Sequence, residues 1–345
     1  LYADDAPLPP ASDGETPVRV RAPVAPTLVR PTTLRRALRP LRHHRPPVRM
    51  PAEHLDEQAT AEQVAETGLL IPVLRPTAHR VAHLQLLMDA SSSTHVWDTT
   101  LQELRQICAG AGAFVDVRAH YVHEGPGGTL LVGATRRREN LNSPEQLRDP
   151  TGRRLTLLLS DCAGPLWQDG RMQRLLHDWA RVAPVALVQP LPQRMWHETY
   201  LPALPGTLHR CEGPSAPVRF APLEGRTPRG ALPVLVVGPT PSGLAAWARL
   251  LSGRTALSVP GAAGWVLPDH PAQPPAADED TPEPAALVRD FRATTSGPAQ
   301  QLVRALAAVP LSLDVMRLVQ RVMLPESGPS VLAEVLLGGV LRGSG

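Results

Sequence analysis

Lysine is missing altogether: every one of the 35 basic positions in this 345-residue chain is arginine. That excludes mechanisms built on an ammonium group, among them a Walker A phosphate loop and a lysine Schiff base. Aromatic residues make up only 3% of the chain, which leaves few rings for stacking on nucleic-acid bases. Cysteine is scarce too. Cys108, Cys162 and Cys211 form no CxxC pair and cannot build a disulfide framework, so a reducing, cytoplasmic compartment is expected. No run of about 18 apolar residues exists to cross a membrane. No signal peptide is visible either, and the start at Leu1 reads as a truncation.

Proline, by contrast, is abundant, with 40 residues. Its clustering toward the ends predicts extended arms there and a folded middle. The net charge of +3 is small, but residues 30–49 carry no acid, whereas 278–290 are acidic. A basic arm of this kind attracts phosphates or acidic partners, and nucleic acid is the weaker of these expectations for want of aromatic residues nearby.

The expected organisation has five parts: a Pro/Arg-rich arm (1–50), a helical lead-in (51–79), an α/β domain (80–267), an acidic Pro-rich linker (268–286) and a small helical domain (287–345). The arm holds one short candidate helix near TTLRRALRPL, and the lead-in a helix closed by Gly68. From 80 to 267 strand-like and helix-like segments alternate, which predicts a doubly wound, mostly parallel sheet. SPEQLRD predicts a short helix with Ser143 as N-cap and Gln146 at the capping-box position. The three amphipathic segments after the linker predict a three-helix or winged-helix unit. Arg317 and Arg321 lie among many apolar residues on its candidate recognition helix, which favours packing against protein over DNA.

Two predicted central strands, VAHLQLLMD and RRLTLLLSD, end in aspartate, at Asp89 and Asp161. In a doubly wound sheet ligand sites lie beyond the carboxyl ends of such strands. Asp89, Ser91 and Ser93 form a D-x-S-x-S spacing that can turn one carboxylate and two hydroxyls toward a single point. Hard oxygen ligands of this type suit Mg²⁺, with Asp161 completing the shell. The plainer reading is that the serines cap the next helix.

At these residues the chain resembles a von Willebrand factor A-type domain, whose metal-ion-dependent adhesion site begins with D-x-S-x-S and takes a second aspartate after the fourth strand. The resemblance implies Asp89, Ser91, Ser93 and Asp161 as metal ligands and a docking role without catalysis. The family's loop threonine has only Thr135 as a counterpart, with Asn142 and Ser143 as substitutes. More narrowly, ETGLLIPVLRP, MDASSS, LLLSDCAGPLW and the C-terminal PLSLDVMRLVQRVMLPESGPSVLAEVLLGGVL are similar to actinobacterial proteins associated with AAA+ or STAND-type NTPases and effectors in conflict or signalling systems. That similarity implies an adaptor. A competing enzyme reading pairs Cys162 with His123 as a caspase-like peptidase dyad, although Glu124 stands where that pattern wants glycine.

Four further features bear on function. Arg136, Arg137 and Arg138 are expected to steer an acidic partner toward the proposed edge. His43 and His44 in the arm, and His79 and His83 beside a strand, have no carboxylate or cysteine company in sequence and are read as solvated or satisfied. The six tryptophans are read as core anchors.

Overall fold

The computed structural model describes residues 27–28, 30–44, 46, 53–76, 81–91, 93–210, 218–252, 258–273, 284–309, 311–338 and 340–341. Cys211, His79 and most of the acidic linker lie outside the described residues.

The chain opens with α1 (Pro31–Leu38), extended by a 3-10 turn to His43. A two-stranded antiparallel sheet, β1 (Glu53–Leu55) with β2 (Leu74–Pro76), brackets α2 (Glu57–Thr67). The Asp56 side chain caps α2 by accepting from the Ala59 amide, and Gly68 closes the helix at φ 70°, a left-handed conformation that suits glycine.

The main body is one sheet of nine strands. In chain order they are β3 (His83–Asp89), β4 (Val117–Glu124), β5 (Leu130–Gly133), β6 (Arg154–Leu159), β7 (Val185–Val188), β8 (Leu204–Arg210), β9 (Val218–Pro222), β10 (Leu232–Val237) and β11 (Ser258–Val266). Their spatial order is β5-β4-β3-β6-β7-β10-β11-β8-β9. The pairs β4–β3, β3–β6, β6–β7 and β7–β10 are parallel, so these five central strands run the same way. β5 is an antiparallel edge, and β11, β8 and β9 extend the far side with antiparallel pairing. The structure is thus an α/β fold with a mixed sheet around a parallel centre.

Helices α3 (Asp98–Ala109), α4 (Pro165–Gln168), α5 (Arg171–Ala180) and α6 (Pro241–Ser252) provide the layers. α3 is helical because Leu101, Leu104, Ile107 and Cys108 recur on one side and bury against the sheet. Residues 31–44 do not form a solvated arm. Leu34, Leu38 and Leu41 are fully buried, and α1 packs against α3 and α6 while Arg35, Arg36 and Arg39 face outward. Glu103 of α3 anchors the segment before α1, accepting from the amides of Thr27 and Leu28 at 2.9 and 2.8 Å.

Four helices follow the sheet: α7 (Pro284–Thr294), α8 (Gly297–Leu306), α9 (Leu313–Met323) and α10 (Pro329–Leu337). α7 and the strands β8, β9 and β11 add to what the sequence pattern outlined. SPEQLRD forms only a 3-10 turn, Pro144–Leu147, in which the Ser143 hydroxyl accepts from the Glu145 amide while the Gln146 amide donates to the Ser143 carbonyl.

Candidate functional site

β3 and β6 are neighbours and parallel, so their carboxyl ends deliver Asp89 and Asp161 to one edge. The chain leaves β3 toward β4 on one side and β6 toward β7 on the other, which makes the β3/β6 boundary the topological switch point of the sheet. Both carboxylates are buried, at 0% and 1% exposure.

A buried charge is tolerated only where donors surround it. Ser160 Oγ donates to Asp89 Oδ2 at 3.0 Å and accepts from the Cys162 amide at 3.0 Å, tying the two loops together. Trp167 Nε1 also donates to Asp89 Oδ2, at 3.3 Å. The Ser91 amide, at 3.2 Å, and the Ser91 hydroxyl donate to Asp89 Oδ1. Asp161 accepts from Trp97 Nε1 at 3.1 Å and from the Ala163 amide at 3.1 Å. Burial, and then the charge of Asp89, push the Asp161 carboxyl up to about 6.

The D-x-S-x-S turn is held from above by arginine. Arg136 donates to the Ser91 carbonyl at 2.8 Å and to Thr94 Oγ1 at 3.2 Å, and it pairs with Asp98 at 2.9 Å. Thr94 Oγ1 donates to the Asp89 carbonyl at 2.7 Å. Ser93 begins the 3-10 turn Ser93–Trp97, and its side chain lies outside the described residues.

The Mg²⁺ expectation does not fit this arrangement. Mg²⁺ keeps several of its waters, whereas these carboxylates are sealed beneath Trp97 and Trp167. Each carboxylate oxygen already accepts from a protein donor. The cation that reaches the turn is the Arg136 guanidinium, whose fixed charge repels a second one. Among the described residues no group of three His, Cys, Asp or Glu side chains is placed to hold a metal ion. Thr135, Asn142 and Ser143 bond elsewhere: the Thr135 hydroxyl donates to the Arg137 carbonyl at 3.4 Å, Asn142 donates to the Asn140 carbonyl, and the Ser143 hydroxyl caps its own turn.

Cys162 and His123 are not brought together. His123 Nε2 lies 3.0 Å from the Thr135 carbonyl, and Cys162 Sγ faces the Ser160 carbonyl at 4.0 Å. Burial, reinforced by Asp161 and Asp89, pushes the Cys162 thiol well above its ordinary range, the opposite of what a nucleophile requires. Cys162 also sits at φ 57°, a strained left-handed conformation in the turn that follows Asp161.

Sequence reasoning found both aspartates but not Ser160, Trp97, Trp167 or the anchoring role of Arg136. Five of the six tryptophans are buried in the core and Trp265 is partly buried, and the indole N–H groups of Trp97 and Trp167 were the unread signal, because each finds a carboxylate acceptor. His83 has the carboxylate partner that sequence proximity hid: its Nδ1 lies 2.6 Å from Asp116 Oδ1. No helix among the described residues is long and apolar enough to cross a membrane. No protein-family model, curated protein or solved structure matches the chain.

Proposed function

We propose that the chain is a non-catalytic protein-interaction adaptor built on a von Willebrand A-like domain, docking a protein partner at the carboxyl edge of its sheet without a metal ion. One observation carries the reading: Asp89 and Asp161 meet at the switch point and lock the two loops that form the edge. The order β5-β4-β3-β6-β7-β10, with its antiparallel edge strand, supports it as the 3-2-1-4-5-6 order of a doubly wound fold. A pair of buried, hydrogen-bonded carboxylates makes the loops rigid, and a rigid surface loses less entropy on binding. Arg137 and Arg138 stand exposed beside this edge and supply attraction for an acidic surface. The partner class is an AAA+ or STAND-type NTPase or its effector.

The test is association with such an NTPase encoded beside this chain, measured by calorimetry on the purified proteins. The double variant Arg137→Glu/Arg138→Glu is expected to weaken binding about tenfold, and chelation with EDTA to leave it unchanged. Binding lost in EDTA and restored by Mg²⁺ would overturn the metal-independent reading. Absence of any complex would overturn the adaptor role.

A further inference from the structure

Parallel strands are usually covered by helices on both faces. Among the described residues one face of β3, β4 and β6 is not, α3 being the helix packed on β3 and β4. Register places Gln85 opposite both Arg118 and Thr156, His83 opposite Arg154, and Leu87 opposite His120. Hence six polar side chains stand on one side of three adjacent parallel strands, next to the β5 edge of the sheet. The connection between β5 and β6, residues 134–153, contains only the Pro144–Leu147 turn where a crossover helix would lie. What remains is a cavity of about 600 Å³, within the range of small-molecule sites.

Gln85 forms part of its lining and is 3% exposed. Its Nε2 donates to Thr156 Oγ1 at 2.5 Å, while Oε1 has no partner among the described residues. Turning the carboxamide over only exchanges the orphan: Thr156 would donate to Oε1 and Nε2 would be left unpaired. A buried polar atom without a partner is costly, and a ligand hydroxyl, which donates and accepts, satisfies either orientation.

The walls match. Asp116 holds His83 through Nδ1 at 2.6 Å and Arg118 through Nε at 2.8 Å. Burial would raise the Asp116 carboxyl, but the hydrogen bond and charge of His83, with Arg118, outweigh it and hold the group low. His120 is held below its ordinary range by burial and then by Arg154 and Arg118, so it presents a neutral imidazole that both donates and accepts. Arg118 and Arg154 are balanced by Asp116 and Glu139, and among the described residues no Phe, Tyr or Trp lines the cavity. Neither a strongly charged field nor a stacking surface is offered. Instead there are paired donors and acceptors, the complement of vicinal hydroxyl groups.

We propose that this cavity binds a polyhydroxylated metabolite, a sugar or sugar phosphate, with one of its hydroxyls bonded to Gln85. The experiment is titration of the full chain with ribose, glucose, ribose 5-phosphate and glucose 6-phosphate, read by ligand-observed NMR and calorimetry. At least one is expected to bind at millimolar concentration or tighter. The double variant Gln85→Leu/Thr156→Val, which removes the unpaired amide together with the hydroxyl it would strand, is expected to leave thermal stability equal or higher and to weaken binding at least tenfold. Arg118→Ser, at an exposed side chain, is expected to weaken only phosphate-bearing ligands. Equal affinity for sugar and sugar phosphate assigns the unphosphorylated source, and binding by the phosphates alone assigns the other. Failure of all four to bind, or binding indifferent to both variants, overturns the proposal.

Discussion

The proton on Asp161 sets a pH dependence whose sign can be worked out. In the folded chain its carboxyl titrates at about 6, because burial and then Asp89 oppose the charged form, against 3.8 for an ordinary aspartate. Between those values the folded state keeps a proton that the unfolded state has released. Its contribution to stability therefore falls as pH rises from about 4 to about 6, by about 3 kcal/mol in all. Asp116 and Asp149, held low, act in the opposite direction and are lost as pH falls through their folded values, so the Asp161 effect must be isolated by difference. Asp161→Asn carries no titrating proton but cannot accept from both Trp97 and the Ala163 amide. The variant is expected to be weaker than the wild type near pH 4 and to recover about 3 kcal/mol relative to it by pH 7, measured by urea denaturation across that range. A stability gap that does not change with pH would sink this account. The two aspartates were legible in sequence because each ends an apolar run. Ser160 was not, because a serine beside an aspartate has no signature apart from the partner it reaches across the sheet.

At the scale of elements, α1 shows how a basic, proline-flanked segment can be structural. Its arginines point outward, while Leu34 and Leu38, one helical turn apart, are fully buried where α1 packs on α3 and α6. Leu38→Ala is expected to lower global stability by about 2–5 kcal/mol, the cost of a buried cavity, whereas a solvated arm would show no change. Thermal or chemical denaturation checks it. The charge of residues 30–49 suggested an arm because composition was weighed over the three leucines among the arginines. The parallel core was legible for the converse reason: HLQLLMD, RLTLLL, VALV and LPVLVV are short apolar runs bounded by breakers. β11 was not, since SVPGAAGWV carries two glycines and a proline. A Cβ at Gly264 would lie 2.5 Å from Leu201 Cγ, so glycine there answers a close approach and not a turn. The polar face of β3 also went unread, because His83 and Gln85 look like ordinary alternation until the missing crossover helix is seen.

At the scale of the molecule, the C-terminal helices are joined to the α/β body at the same edge that carries Asp89 and Asp161. Arg317 of α9 donates to the His95 carbonyl at 3.0 Å, in the turn that follows the D-x-S-x-S stretch, and α10 packs against that turn. The stronger tie is Glu334 of α10, 2% exposed, which accepts from Arg194 at 2.6 Å and from the Ser296 amide at 2.8 Å. One carboxylate thus connects α10, the N-terminus of α8 and the 3-10 turn Gln193–Glu198 of the α/β body. Deleting one partner of a buried pair leaves the other charge uncompensated, though Arg194 is itself half exposed and water screens part of the loss. Arg194→Ala is expected to cost about 1–3 kcal/mol and to speed amide hydrogen exchange in residues 93–97 and 297–306. Adding Glu334→Gln to that variant removes the stranded charge and should restore most of the protection. If exchange at the edge stays unchanged in Arg194→Ala, Glu334 does not hold the helices against the body. If the double variant is as loose as the single one, the lost contact is steric and the ion pair is incidental.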